Sequence, residues 1–384
     1  MKRLTRAAVG AGAVLGLSAW LAPVAGAEGL PWGQSGQGGD HAVFVQTDNL
    51  AGNQIVAYHR AHDGTLALDN TYATGGLGGQ LNGSMVDHLG SQGSLVSDPE
   101  HGLLYAVNAG SNTVSVFSVD GDQLSLIQEV DSGGTFPVSI AIHDDLVYVL
   151  NALDGGSVSG FRIDDEHLHR IWGSTRPLGL SIPADGTQFT HTPGQVAFSA
   201  DGSQLIVTTK ANAVGNDIDV FGVGPDGRLS DSPVVNAEPG TVPFAVTFDE
   251  EGHMLVGEAG PSAVVSFTLH DDGTVSQLDS VASGQPGLCW VTPAGDFFYT
   301  GNTASNSTSG YTSTDSGQLT LLGATPTDPG TVDGASSLSG RFLYVQTGAK
   351  GIVDEFQVNP NGSLTQIGSV TVSGAVGGEG IVAF

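Results

Sequence analysis

Lys210 follows the run Leu205-Ile206-Val207-Thr208-Thr209 in a chain with 39 acidic and 11 basic residues. An ammonium at a strand end among so many carboxylates is expected to have an acidic partner, with Glu258 and Glu379 the first choices. If His191 or Glu258 acts as a general base on water, Lys210 would stabilise the oxyanion formed on an attacked carbonyl. Polar residues at the starts and ends of strand-like runs complete a candidate ligand-binding set: His88, Gln92, Asn108, Asn151, Gln195, Asn302, Asp333 and Glu379. The same residues also have a structural reading, in which Lys210 and Glu258 form ion pairs and the three asparagines cap loops. His167 and His169 would share one strand face, but they follow Asp164-Asp165-Glu166 and read as a solvated turn. The Gly-rich 74–79 stretch lacks the strand-to-helix context of a dinucleotide fingerprint. There is no G-x-S-x-G elbow, H-E-x-x-H or paired-cysteine motif. Cys289 is the only cysteine, so no intramolecular disulfide can form.

The elements that must position these residues recur along the chain. Residues 104–130, LYAVNAGSNTVSVFSVDGDQLSLIQEV, have relatives starting at Ser139, Gly194, Phe244, Cys289 and Gly334. Each unit reads strand, turn, strand, loop, strand, turn, strand, with a period of roughly 43 to 56 residues, the signature of a β-propeller blade. Asp201-Gly202, Asp226-Gly227, Glu251-Gly252, Asp272-Gly273 and Asn361-Gly362 supply hairpin turns. Runs such as Val114-Ser115-Val116-Phe117 are small or apolar on both faces, which suits sheets covered on both sides. Six full units run from about residue 94 to 376. Ahead of them, a unit beginning at His41 has only three strands. The terminal GEGIVAF resembles a unit's first strand, as in GQVAF (194–198). The expected fold is all-β, a seven-bladed β-propeller over residues 42–384, with the C-terminal strand completing the first blade and closing the ring.

The N-terminus reads as a signal peptide over residues 1–27. Lys2, Arg3 and Arg6 precede an apolar stretch over 7–21 and the small-residue site Ala25-Gly26-Ala27. The apolar stretch is short of the ~20 residues a spanning helix needs. Export to the outside of a bacterial cell is expected, with a flexible lead-in at 28–41. Removing the signal leaves 8 basic against 39 acidic residues, a formal charge of −31. Such a surface repels nucleic acid and anionic lipid and disfavours phosphorylated substrates. The expected partner is a small molecule in the central channel of a monomer, with no nucleic acid, no membrane and no cofactor.

The phrases GRFLYVQT, YAVNAGSNTVSVF and DPEHGLLYAVN resemble the lactonase-type seven-bladed propellers, which include a bacterial phosphogluconolactonase and a fungal carboxymuconate-lactonizing enzyme. They are also similar to surface-layer propellers named for Tyr-Val-Thr-Asn. The resemblance covers about residues 42–384. It implies a lactone-opening or lactone-forming enzyme working in the channel, or, on the surface-layer side, a non-catalytic extracellular binding or scaffold propeller. A metal site with Glu258, Asn302 or Asp333 as ligands is a third, lesser option. Where family enzymes open inner strands with Pro-Arg-His, this chain has Pro137-Val138-Ser139, Pro193-Gly194-Gln195 and Pro243-Phe244-Ala245. No catalytic residue is therefore carried over from the family.

Overall fold

Residues 41–210 and 216–384 are described by the structure, a computed structural model. Their strands pair into seven antiparallel sheets, each running from a short inner strand to an exposed outer one. Blades 2 to 7 begin at inner strands Leu95–Asp98, Pro137–His143, Pro193–Phe198, Pro243–Phe248, Leu288–Ala294 and Thr331–Ser336. Blade 1 takes its inner strand from the other end of the chain. Ile381–Ala383 pairs with Ala42–Gln46 through Val45↔Ile381, Phe44↔Val382 and Val43↔Ala383. The closure expected from GIVAF is therefore present. Arg60 reinforces it by donating from Nη2 to the Phe384 carbonyl at 2.7 Å. The predicted signal peptide and nearly all of the lead-in lie outside the described residues.

The two middle strands of each blade are buried, while the outer strands alternate between exposed and partly buried residues. Apolar side chains from neighbouring sheets fill the gaps between blades. One such cluster joins Tyr105 and Val107 of blade 2, Tyr148 and Leu150 of blade 3, and Leu205 and Val207 of blade 4. A blade alone would leave both faces wet, and stacking in a ring removes that exposed surface.

A recurring pin fixes the spacing between blades. The Tyr148, Tyr299 and Tyr344 hydroxyls donate to the carbonyls of Gly227, Gly362 and Gly64, each in a hairpin turn of the next blade. Gly362 must be glycine on two counts. Its φ of 76° is left-handed, and a Cβ there would run into Phe297 and Leu322. The other predicted hairpin glycines, at 202, 227, 252 and 273, also have positive φ.

Candidate active site in the plugged channel

The connection from the outer strand of blade 1 (Leu66–Ala73) to the inner strand of blade 2 does not stay on the surface. Residues 80–93 turn into the ring and plug its axis. Ser91 Oγ donates to the Val138 carbonyl of blade 3 (2.9 Å) and lies 2.8 Å from Glu379 Oε2 of the closing segment. The Ser91 carbonyl accepts from Trp290 Nε1 of blade 6 at 2.7 Å. The Gln92 amide spans the axis, exchanging two bonds with the Val291 backbone (2.9 and 3.0 Å), while its own N–H donates to the Gly194 carbonyl. The plug thus satisfies backbone groups of inner strands that would otherwise face the channel unpaired.

Lys210 enters from blade 4. In that blade Thr209 pairs with Pro193 and Asp217, the register position held elsewhere by Asn108, Asn151, Glu258, Asn302 and Thr347. Lys210 lies one residue further on, where the other blades carry Ala109, Ala152, Ala259, Thr303 and Gly348. Successive side chains alternate sides, so that single step separates in-blade caps from a side chain aimed at the axis. Its ammonium donates to the Gly90 carbonyl of the plug and sits 5.1 Å from the Phe244 ring centre. Lys210 is 3% exposed, and burial lowers its pKa from 10.5 to about 8, partly offset by Asp87 and more weakly by Cys289 and Glu379.

Four buried carboxyls gather behind this ammonium. Asp87 accepts the Leu89 and Gly90 N–H groups at 3.1 and 2.8 Å. Burial raises its pKa; the Gly90 N–H, the Lys210 charge and a hydrogen bond with Glu379 hold it down. Glu379 is raised well above the ordinary range by burial and then by the charges of Asp87, Asp333 and Asp48. Both carboxyls are thus held above the usual carboxylate range by burial, Glu379 further by the charge of Asp87, while Lys210 draws Asp87 back down. Asp48 accepts the Glu379 N–H (2.8 Å) and the Gln46 amide (2.6 Å), yet burial pushes it up to about 7. Asp333, bonded to the Gly334 N–H, is likewise pushed up to about 7 by burial.

On the rim side of this cluster lies a cavity of about 430 Å³. Asp87, Lys210 and Cys289 reach its wall, and Phe189, Phe244 and Trp290 form much of the rest. Phe244 and Trp290 meet edge to face at 4.9 Å. Plug residues 83–86 cover one side, and Met85 stands 76% exposed at the opening. Burial pushes the Cys289 thiol up to about 12, so it is no nucleophile at neutral pH.

The structure gathers some of the predicted residues and disperses others. Lys210, Gln92, Asp333 and Glu379 meet at the axis. Lys210 bonds a carbonyl rather than a carboxylate, and the acid that acts on it most is Asp87, which the sequence reading missed. Glu258 is not its partner: it is buried beside Glu238 in blade 5, and burial pushes it up to about 7. His191 shares a rim with Lys210, whose N–H reaches the Thr192 carbonyl, but its ring turns back to the Thr187 carbonyl and the Thr190 hydroxyl. It lines a separate depression with Ser181 and Pro183. Asn108 and Asn302 donate to hydroxyls of their own blades, and Asn151 accepts from Ser132. These asparagines are caps rather than a ligand funnel. Gln195 Oε1 accepts from the Val246 N–H (2.6 Å), and the residue lines a different space from Lys210. His88 packs on Gly377, and burial lowers its pKa. Glu258, Asn302 and Asp333 come from blades 5, 6 and 7, and Asn302 is bonded within its own blade. The one three-ligand group among the described residues, Asp249, Glu251 and His253, sits in a blade 5 hairpin, where Asp249 already accepts from His253 and Ser313.

Comparison with known proteins agrees with this architecture. A search of curated proteins found no match. Among solved structures, a periplasmic gluconolactonase of Pseudomonas aeruginosa superposes with a TM-score of 0.67 at 17% identity, covering 89% of this chain and 98% of the other. A candidate 6-phosphogluconolactonase of Bacteroides fragilis gives 0.68 at 17%, covering 89% and 97%. A Lactobacillus plantarum protein gives 0.71 at 18%, covering 89% and 98%. The family model described as lactonase, 7-bladed beta-propeller matches residues 51–171 and 83–378. The chain therefore belongs to the lactonase family of seven-bladed β-propellers.

Proposed function

We propose that this protein is an exported lactonase-type hydrolase that opens an unphosphorylated lactone in the pocket beside Lys210. The observation that carries the reading is the meeting of the buried Lys210 ammonium and the Asp87 carboxyl, itself hydrogen-bonded to Glu379, at the wall of one cavity. Family membership and the similarity to a periplasmic gluconolactonase support it. In this reading Asp87 takes a proton from water as the water oxygen bonds to the lactone carbonyl carbon. Lys210 stabilises the oxyanion in a site poor in water. The tetrahedral adduct then collapses, the ring C–O bond breaks, and the leaving alkoxide takes back the proton held on the carboxyl pair, giving a hydroxy acid. Among the described residues lining the pocket Lys210 is the only cation, with no arginine to hold a phosphate.

The assay is hydrolysis of neutral and phosphorylated lactones by the purified protein and by Asp87→Asn. Neutral lactones should be turned over, and the variant should lose roughly 10²–10⁴-fold in kcat, the usual contribution of a general base. A preference for phosphorylated lactones, or full activity in Asp87→Asn, would overturn the assignment. A second reading, a non-catalytic binding propeller, is favoured by one feature: Lys210 and Asp87 are both already bonded to the plug at Gly90. It predicts that ligands bind in the pocket without turnover.

A further inference from the structure

We infer that the lactone is one bearing an apolar substituent, alkyl or aryl, rather than a polyhydroxylated sugar lactone. This rests on the hydrolase reading above and specifies its substrate class. The argument comes from the polar atoms the pocket wall has left to offer. Trp290 presents a ring to the cavity, but its only donor, Nε1, is bonded to the Ser91 carbonyl. Thr190 Oγ1 donates to the Thr187 carbonyl at 2.8 Å, and Thr303 Oγ1 donates to the Thr331 carbonyl at 2.7 Å. The Gly90 carbonyl is taken by Lys210. Among the described residues, the side-chain groups that remain are Lys210, Asp87, the Cys289 thiol, Ser84 and the acceptor side of the two threonine hydroxyls. Lys210 and Asp87 match the carbonyl and the attacking water, which leaves few side-chain donors for the several hydroxyls of a sugar ring. A buried hydroxyl without a partner lowers affinity.

The rest of the wall suits hydrocarbon. Phe189, Phe244, Trp290, Val242 and Val86 present carbon surface, and Met85 at the opening adds an adaptable thioether side chain. Lys210 and Asp87 are buried in this surface, whereas Met85 stands exposed. A lactone seated with its carbonyl at Lys210 therefore runs its substituent along the aromatic wall toward Met85. Each methylene added to that substituent should raise kcat/KM about fourfold, which is ~0.8 kcal/mol per buried CH₂ at 1.4 kcal/mol per tenfold. The rise should stop once the cavity of about 430 Å³ is filled.

The test measures kcat/KM for γ-lactones of increasing alkyl length, from γ-butyrolactone upward, and for glucono-δ-lactone. Binding of the same compounds is followed in parallel by calorimetry. The expected result is a several-fold gain per methylene over the first members and a gluconolactone value below that of the alkyl lactones. A second variant, Ala304→Trp, places bulk on an exposed residue at the pocket edge and should flatten the chain-length dependence without touching the core. A flat series, or gluconolactone as the best substrate with turnover abolished in Asp87→Asn, sinks the substrate class while leaving the hydrolase reading intact. If no lactone is hydrolysed but affinity still climbs with alkyl length and falls in Ala304→Trp, the hydrolase reading fails and the apolar ligand class stands. No turnover together with no length-dependent binding overturns both.

Discussion

Replacing Lys210 by methionine separates a structural lysine from a working one, because the two roles predict opposite signs. Methionine keeps the length and the apolar stem and removes the charge. A lysine that pins the fold through an ion pair would leave an orphaned carboxylate when removed, at a cost of about 3–5 kcal/mol. The structure argues otherwise. Burial lowers the Lys210 pKa from 10.5 to about 8 even with Asp87 and Glu379 nearby, so the folded state disfavours the charged form. At 1.36 kcal/mol per pKa unit, that is a penalty of order 3 kcal/mol at neutral pH, which the variant escapes. Against this stands the Gly90 carbonyl, which loses its donor at about 1–3 kcal/mol. The balance is between no change and a gain of ~2 kcal/mol. For ~340 ordered residues at ~2.1 cal/mol/K each, that is a Tm rise of about 0–3 °C. The sign of the pH dependence follows. A lowered lysine pKa means that the unfolded chain binds the extra proton between about 8 and 10.5, so the penalty is full below 8 and fades as pH rises through that window. Any gain from Lys210→Met should therefore be present at pH 7 and shrink by pH 10, while lactone turnover is lost at both. Thermal melts at the two pH values, with kcat/KM alongside, test this. A Tm drop of 4 °C or more at pH 7 would show that the ammonium holds the fold together and would refute the reasoning.

Two further outcomes follow from the closing strand and the buried carboxyls. Deleting residues 378–384 removes the inner strand of blade 1 together with Glu379, so the truncated chain should melt far below the full one or fail to fold; equal melting would refute the closure. Acidification should stabilise the protein: Asp48, Asp219, Glu258, Asp333 and Glu355 are buried and pushed up to about 7, so the folded chain holds protons that the unfolded chain releases above pH 4. Stability then falls as pH rises from about 4 to 7. Between pH 5 and 7 one such carboxyl contributes about 3 kcal/mol, or ~4 °C, so a Tm higher at pH 8 than at pH 5 would contradict the assignment.

The ring was legible because its signal is periodic. Hairpin glycines and two-sided apolar runs recur at similar spacings and map onto the blades, and the terminal strand repeats a unit's opening. At the site, Lys210 is legible because it breaks the period, standing where blades 2, 3 and 5 to 7 carry small residues, and Gln92, Asp333 and Glu379 because they are polar at the entries to inner strands; Asp48, just beyond the corresponding strand of blade 1, carries no such signal. Asn108, Asn151 and Asn302 recur in register, and that regularity was itself the sign of a structural cap. Asp87 escaped because it lies in residues 80–93, a stretch with no strand pattern, whose path through the axis is set by bonds to residues up to 288 positions away. His191 was misjudged because a shared rim fixes where a backbone lies, not where a ring points; a bond to Thr187, four residues back, turned it away.

The Ser91–Gln92 crossing also governs traffic. A second axial space, about 360 Å³ and lined by Gln92, Gln195 and Asp333, shares no wall residue with the Lys210 chamber. A ring often pictured as a tunnel is here a cul-de-sac. Whatever enters beside Met85 must leave beside Met85, so reactant and product compete for one doorway. Product inhibition should therefore be competitive with the substrate, and crowding at the opening should slow departure as much as arrival.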